Sequence, residues 1–260
     1  MRISHHIAAF AVTAAAVLSP ANAAPVLGEY LVTYCCGTED GPQVGAAANG
    51  LSYAGTVDKD NLTGVDIVVG GAYATQFTSW IAAGGAFIYH DWSPSHALEL
   101  PGLAGVTGAY SGTSDINILS ALSPVVNGPF GTLTNSNMDG GSSSGHGYVN
   151  LASLISSDPL VSNLTAIFSS QYAQQVTSFS YNYGLGLVIY SAMPIDAYSG
   201  SIPYETDGTI GLNILAKNEI AYAASFKDSS SNVPEPGSIA LLGAGMLALA
   251  MARRKAGKAG

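Results

Sequence analysis

The sequence predicts an α/β fold: a mostly parallel sheet with helices on both faces, a loop-rich insertion in the middle, an N-terminal signal and a C-terminal anchor helix. Three observations predict it. Val65–Gly70 (VDIVVG) and Ala86–His90 (AFIYH) are continuous apolar runs next to glycines, as expected of strands buried on both faces. Between them, Ala72–Ala83 carries Phe77, Trp80 and Ile81 at helical spacing and stops at Gly84-Gly85, which makes a βαβ unit. Each end of the chain holds a short apolar segment with its own flanking signals, so the fold belongs to what lies between.

At the start, Met1-Arg2 precedes the apolar stretch Ile7–Leu18, and Ala21-x-Ala23 offers the small residues a signal peptidase takes. Residues 1–24 are therefore expected to be a signal peptide. The secreted body then runs from 25 to 232. It holds three lysines, no arginine and sixteen acidic residues, a net charge of −13. Nucleic acid is excluded as a partner, because binding phosphates requires basic neutralisation. Clustered carboxylates leave divalent cations open.

In chain order, Glu29–Cys36 reads as a first strand, residues 37–42 as a turn and Gln43–Asn49 as a short helix. Cys35-Cys36 are the only cysteines, and two readings stay open: semi-buried thiols, or a vicinal disulfide or metal-binding pair. Asp58-Lys59-Asp60-Asn61 begins like a calcium loop. Leu62 and Val69 fall where oxygen ligands are required, so an EF-hand is out. After the βαβ unit, Ile116–Leu122 carries mixed signals and Thr132–Gly147 reads as a long polar loop. Val149–Ile155 and Asn163–Phe168 are short elements. Val176–Tyr181 and Leu187–Tyr190 are strands joined by a hairpin turn over 182–186. Gly211–Ser225 closes the body as an amphipathic helix. The α/β domain thus spans 25–227, with a linker over 228–233.

The tail, 234–258, has Pro234-Glu235-Pro236, then an apolar run of about 15 residues to Ala252, then Arg253-Arg254-Lys255. The prolines hold an extended approach, and the basic cluster prefers the cytoplasmic side of a bilayer. The run is short for a permanent span. This order resembles the PEP-CTERM sorting signal of Gram-negative bacteria. The resemblance implies export, transient inner-membrane insertion through the tail, and cleavage by an exosortase near Pro234–Pro236. It also implies delivery to the cell surface or extracellular matrix. Signal peptidase and exosortase are the expected partners in export, with extracellular polysaccharide beyond them. An ordinary C-terminal membrane anchor is the other reading.

Three segments of the body, Trp80–His90, Gly184–Tyr190 and Asn213–Ala224, resemble the class I glutamine-amidotransferase-like fold, notably its ThuA-like branch. An active enzyme of that family would show a Gly-x-Cys-x-Gly elbow at the strand end near residue 90. Here the sequence is His90-Asp91-Trp92-Ser93. A His-x-Glu pair near the last strands is also missing, and Cys35 and Cys36 follow the wrong strand. The resemblance therefore implies the fold without its chemistry.

The remaining candidates for catalysis are His90, Asp91 and His146, and for a metal His90, Asp91, His96 and His146. The first three of that metal set follow a parallel strand at the end where open α/β sheets place ligands. His146 sits between glycines in Asp139–Gly147, a stretch suited to a binding loop or a spacer. Ser144 precedes Gly145-His146, but no nucleophile elbow follows a strand there. No cofactor motif is present, and a divalent metal is the one group these residues could hold. The expectation is a non-catalytic structural or ligand-binding protein of the exopolysaccharide layer; the alternative is a secreted hydrolase, metal-assisted, acting on glycans or peptides.

Overall fold

The computed structural model describes residues 23–30, 41–91, 99–113, 115–139, 145–193 and 207–231. The signal peptide, Cys35, Cys36, Ser93, His96 and the tail lie outside the described residues. So does the side chain of His146.

Five parallel strands form the centre of the sheet, in the order β2 (Ser52–Thr56), β1 (Val26–Tyr30), β3 (Ile67–Gly70), β4 (Ala86–His90) and β12 (Gly186–Ser191). The strand β3, helix α2 (Gln76–Ala82) and strand β4 form the expected βαβ unit, and Gly84 at φ 115° ends the helix where expected. Beyond β12 the sheet continues antiparallel through β11 (Gln175–Tyr183), β10 (Val161–Ser169) and β6 (Asn117–Ile118). The reversal is made by the two-residue turn Gly184-Leu185. Gly184 sits at φ 59° with a missing Cβ direction only 2.7 Å from the Ala82 carbonyl, so glycine is required twice over.

The described part of β1 starts earlier than the sequence suggested, at Val26. The edge strand β2 was not foreseen, because Ser52-Tyr53-Ala54-Gly55-Thr56 is small, half-polar and half-exposed. The insertion is more structured than a polar loop. The strand β5 (Gly108–Thr113) pairs with β9 (Gly145–Asn150), and β7 (Asn127–Gly128) pairs with β8 (Gly131–Thr132). The short helix α3 (Asn135–Met138) is fixed by a reciprocal cap between Thr134 and Asn137 and by burial of Met138. Both signals are brief and sit among polar residues, which is why the stretch reads as a loop.

One face of the sheet is covered by α1 (Gly41–Ala48) and the 25-residue α4 (Asp207–Ser231); the other is covered by α2 and the segments around Leu100–Val106 and Leu154. Helices thus lie on both faces, as expected. Alternation along each strand sends Ile67, Val69, Ile88 and Ile189 to the α4 face and Val68, Phe87, Tyr89 and Val188 to the α2 face. We call the end where the parallel strands finish the upper pole. The helix α4 runs from there to the lower pole, meeting His90 through Glu219 and Gly84 through Lys227.

Candidate functional site

At the upper pole, the parallel strands end in polar residues that stay buried. In one row across the sheet lie His90 (β4), Ser191 (β12) and Ser178 (β11), paired in register and therefore on the same face, the one α4 covers. A bulge on β11 leaves Thr177 unpaired between Val176 and Ser178, opposite Ser169 and Phe168 of β10.

The helix α4 supplies Glu219, fully buried, whose Oε2 lies 2.9 Å from His90 Nε2. His90 Nδ1 lies 2.6 Å from the Met193 carbonyl. A carbonyl only accepts, so Nδ1 carries a proton and donates it. Nε2 and Oε2 then share one proton between them, either as a neutral pair or as an ion pair. Both ring nitrogens are thereby engaged. Ser191, next to His90, faces no free imidazole nitrogen that could act as its base; its Oγ instead accepts from Met193 N at 3.3 Å. A serine, histidine and glutamate meet here without forming a nucleophilic triad.

Asp91 goes the other way. It follows His90 and so belongs to the α2 face, where Tyr89 Oη donates to its Oδ2 at 2.9 Å. Burial pushes the Tyr89 hydroxyl well above its ordinary value, and the neighbouring Asp91 carboxylate pushes it further. Tyr190 is raised in the same way, first by burial and then by Asp91. His90 and Asp91 are thus adjacent in sequence and separated by the sheet. As placed, they give a metal no shared approach, and among the described residues no three His, Cys, Asp or Glu side chains gather into a metal site. His146 lies on β9, in the β5–β9 ribbon at the side of the sheet.

The upper pole also holds buried hydrogen-bonding capacity that is not used. Among the described residues, Ser169 Oγ, Thr177 Oγ1, Ser178 Oγ and Glu219 Oε1 have no partner. Three of these four are hydroxyls on neighbouring positions of β10 and β11, and the fourth is the free oxygen of the carboxylate on His90. The four do not share one face: Ser178 and Glu219 lie on the α4 face, whereas Ser169 pairs in register with Val176 of the α2-side core, and all four atoms are buried.

Sequence reasoning missed Glu219. The signal was present: Leu215, Glu219 and Ala223 share one helical face, so a glutamate interrupts the apolar stripe of α4. Ser169 and Thr177 gave no such signal, because alternation breaks at the bulge, while Ser178 continues the alternation with Phe179 and Tyr181.

Residues 232–255 match the PEP-CTERM protein-sorting motif. The chain therefore carries the mark of an exported protein that is sorted and processed by an exosortase. No curated protein matches the chain. Solved structures that resemble it include a ThuA-like protein from Bacteroides uniformis, at 11% identity and a TM-score of 0.45, covering 79% of this chain and 95% of that one. A glutamine amidotransferase from Thermotoga maritima aligns at 11% identity and a TM-score of 0.46, over 77% and 98% of the two chains. A β-galactosidase from Rahnella sp. R3 aligns at 15% identity and a TM-score of 0.43, over 78% of this chain but 31% of its own length.

Proposed function

We propose that the exported body is a non-catalytic ligand-binding domain of the extracellular polymer layer, taking a neutral, hydroxyl-rich ligand such as a polysaccharide segment at the upper pole. The observation that carries this reading is the unmet hydrogen-bonding capacity, among the described residues, of Ser178 Oγ and Glu219 Oε1 on the α4 face; both are fully buried, so a ligand reaches them only where the upper end of α4 gives way. Sugar hydroxyls both donate and accept, so they complement a serine hydroxyl beside a carboxylate oxygen. The body's net charge of −13 repels polyanions and favours an uncharged partner. A signal peptide over 1–24 and attachment to a Gram-negative cell surface complete the proposal.

A metal-assisted hydrolase built on His90, Asp91, His96 and His146 is the competing reading. It requires His90 to leave both Met193 and Glu219. The mature protein, incubated with a panel of neutral and acidic glycans, separates the two. Binding to neutral glycans, weakened in Ser178→Ala and with no product released, supports the proposal. Failure to bind any glycan sinks it. Product release that stops on chelation replaces it with the hydrolase.

A further inference from the structure

The lower pole differs in kind from the upper one. Of the large apolar side chains that stand exposed, two belong here: Leu160 at 45% and Leu185 at 71%. They are neighbours through the backbone. Leu185 N donates to the Ala82 carbonyl, placing Leu185 beside the exposed Ala83, and Gly184 N donates to the Leu160 carbonyl.

The helix α4 delivers the chain to this spot. Lys227 Nζ donates to the Gly84 carbonyl at 2.7 Å and lies 3.6 Å from Asp66 Oδ1, so the last turn of the helix is tied to the turn that carries Leu185. The helix ends at Ser231, about 6 Å further along its axis. From Ser231 to the apolar run that begins at Ser238 is seven residues, a reach of at most about 25 Å when fully extended. That run and its Arg253-Arg254-Lys255 end have the composition of a segment held in a bilayer. With the tail inserted, the lower pole is the part of the body that the linker keeps nearest to lipid.

We propose that Leu185 and Leu160 form a membrane-seating surface, resting in the headgroup region of the bilayer that holds the tail, so that the body stands with its upper pole directed away from the membrane. Apolar side chains beside a basic residue suit such an interface. This inference rests on the sorting tail and the lower pole alone, and does not depend on the ligand proposed for the upper one.

The test uses the full chain in phosphatidylcholine nanodiscs whose acyl chains carry bromine close to the headgroup. Leu185→Trp places a reporter at the lower pole, and Tyr172→Trp places one in the turn between β10 and β11 at the upper pole. The added emission, taken as the difference from the parent protein, is expected to be blue-shifted and largely quenched for Leu185→Trp and unchanged for Tyr172→Trp. Adding Leu160→Asp to Leu185→Trp is expected to remove most of the quenching. Equal quenching at both poles, or none at Leu185→Trp, overturns the proposal. Because both reporters replace exposed side chains, neither result depends on a refolded core.

Discussion

The same strands present two different faces. Towards α2, β4, β12 and β11 offer Phe87, Tyr89, Tyr190, Phe179 and Tyr181, a run of rings in which Phe179 and Tyr190 lie 4.9 Å apart and Phe87 and Tyr89 5.8 Å apart. Its polar atoms are engaged: Tyr89 on Asp91, and Tyr181 on the Pro101 carbonyl at 2.9 Å. Towards α4, the neighbouring positions are His90, Ser191, Ser178 and Ser180, and part of their capacity is unmet. The first face is a finished core. The second is a core at its lower end and, at its upper end, a buried polar row whose hydrogen-bonding capacity is only partly met among the described residues.

Within α4 the contrast repeats between adjacent residues. Asn218 donates to the carbonyls of Val125 and Gly131 and accepts from Phe130 N, closing the β7–β8 hairpin against the helix. Gly128 is packed so closely on its amide that no side chain fits there. Both amide protons and the oxygen of that side chain have a structural use. Glu219, next in sequence and equally buried, uses one oxygen of two.

The deepest cut into the finished face is Phe179→Ala. It leaves a ring-sized cavity among Tyr181, Tyr190 and their neighbours and is expected to cost about 3–5 kcal/mol in urea unfolding. Asn218→Ala follows, at about 3 kcal/mol, since it strands two carbonyls and an amide in the interior. A loss below about 1 kcal/mol would show that the hairpin can relax, and would erase the distinction between Asn218 and Glu219.

Alkaline titration probes the aromatic face as a whole. Burial raises Tyr89, Tyr181 and Tyr190 above the ordinary tyrosine value near 10. Folding thus favours their protonated form. The stability this linkage contributes is complete below about pH 10 and is lost as pH rises above it, where the unfolded chain ionises first. Tyrosinate absorbance from these residues is expected to rise together with the loss of far-ultraviolet dichroism. Ionisation well ahead of unfolding would mean that the face is open to water.

On the α4 face the effects shrink. Glu219→Gln keeps the shape and can donate to His90 Nε2 while Nδ1 still donates to Met193, so the loss is expected to stay below about 1 kcal/mol at neutral pH. A much larger loss would identify the pair as ionic. Ser178→Ala removes a hydroxyl that has no partner. It is expected to leave stability unchanged or slightly raised, while weakening glycan binding in calorimetry. Destabilisation by that substitution would mean the hydroxyl is already in structural use, and the two faces would then differ in chemistry only.

Much of the fold was legible because its signals are local and repeated. The apolar runs at 65–70 and 86–90, the glycine stop at 84–85 and the turn at 184–186 each act over a few residues. What was not legible depends on distance in the chain. The edge strand β2 is defined by pairing with β1 and not by its own residues. The helix α3 rests on a cap two side chains wide. His90 and Asp91 were read as one cluster because they are adjacent, yet strand geometry sends adjacent side chains to opposite faces. The period of the strand, applied to that pair, would have separated them. Ser178 and Ser180 alternate with Phe179 and Tyr181 and so share a face legible in the sequence; the bulge displaces only Thr177 and the residues before it.

The seam between β4 and β12 has a further consequence. Ile88 and Ile189, which face each other there, lie about a hundred residues apart in the chain, and so high a sequence separation makes for slow assembly. The helix that seals this seam is the last element before the sorting tail. A chain synthesised from its N-terminus holds β1, β3 and β4 ready long before their remaining neighbour exists. The edge of β4 is then an open strand waiting for a partner, and such edges invite pairing with another chain. Completion of the central sheet therefore waits for β12, and the seam is sealed only once α4, the element before the sorting motif, has followed.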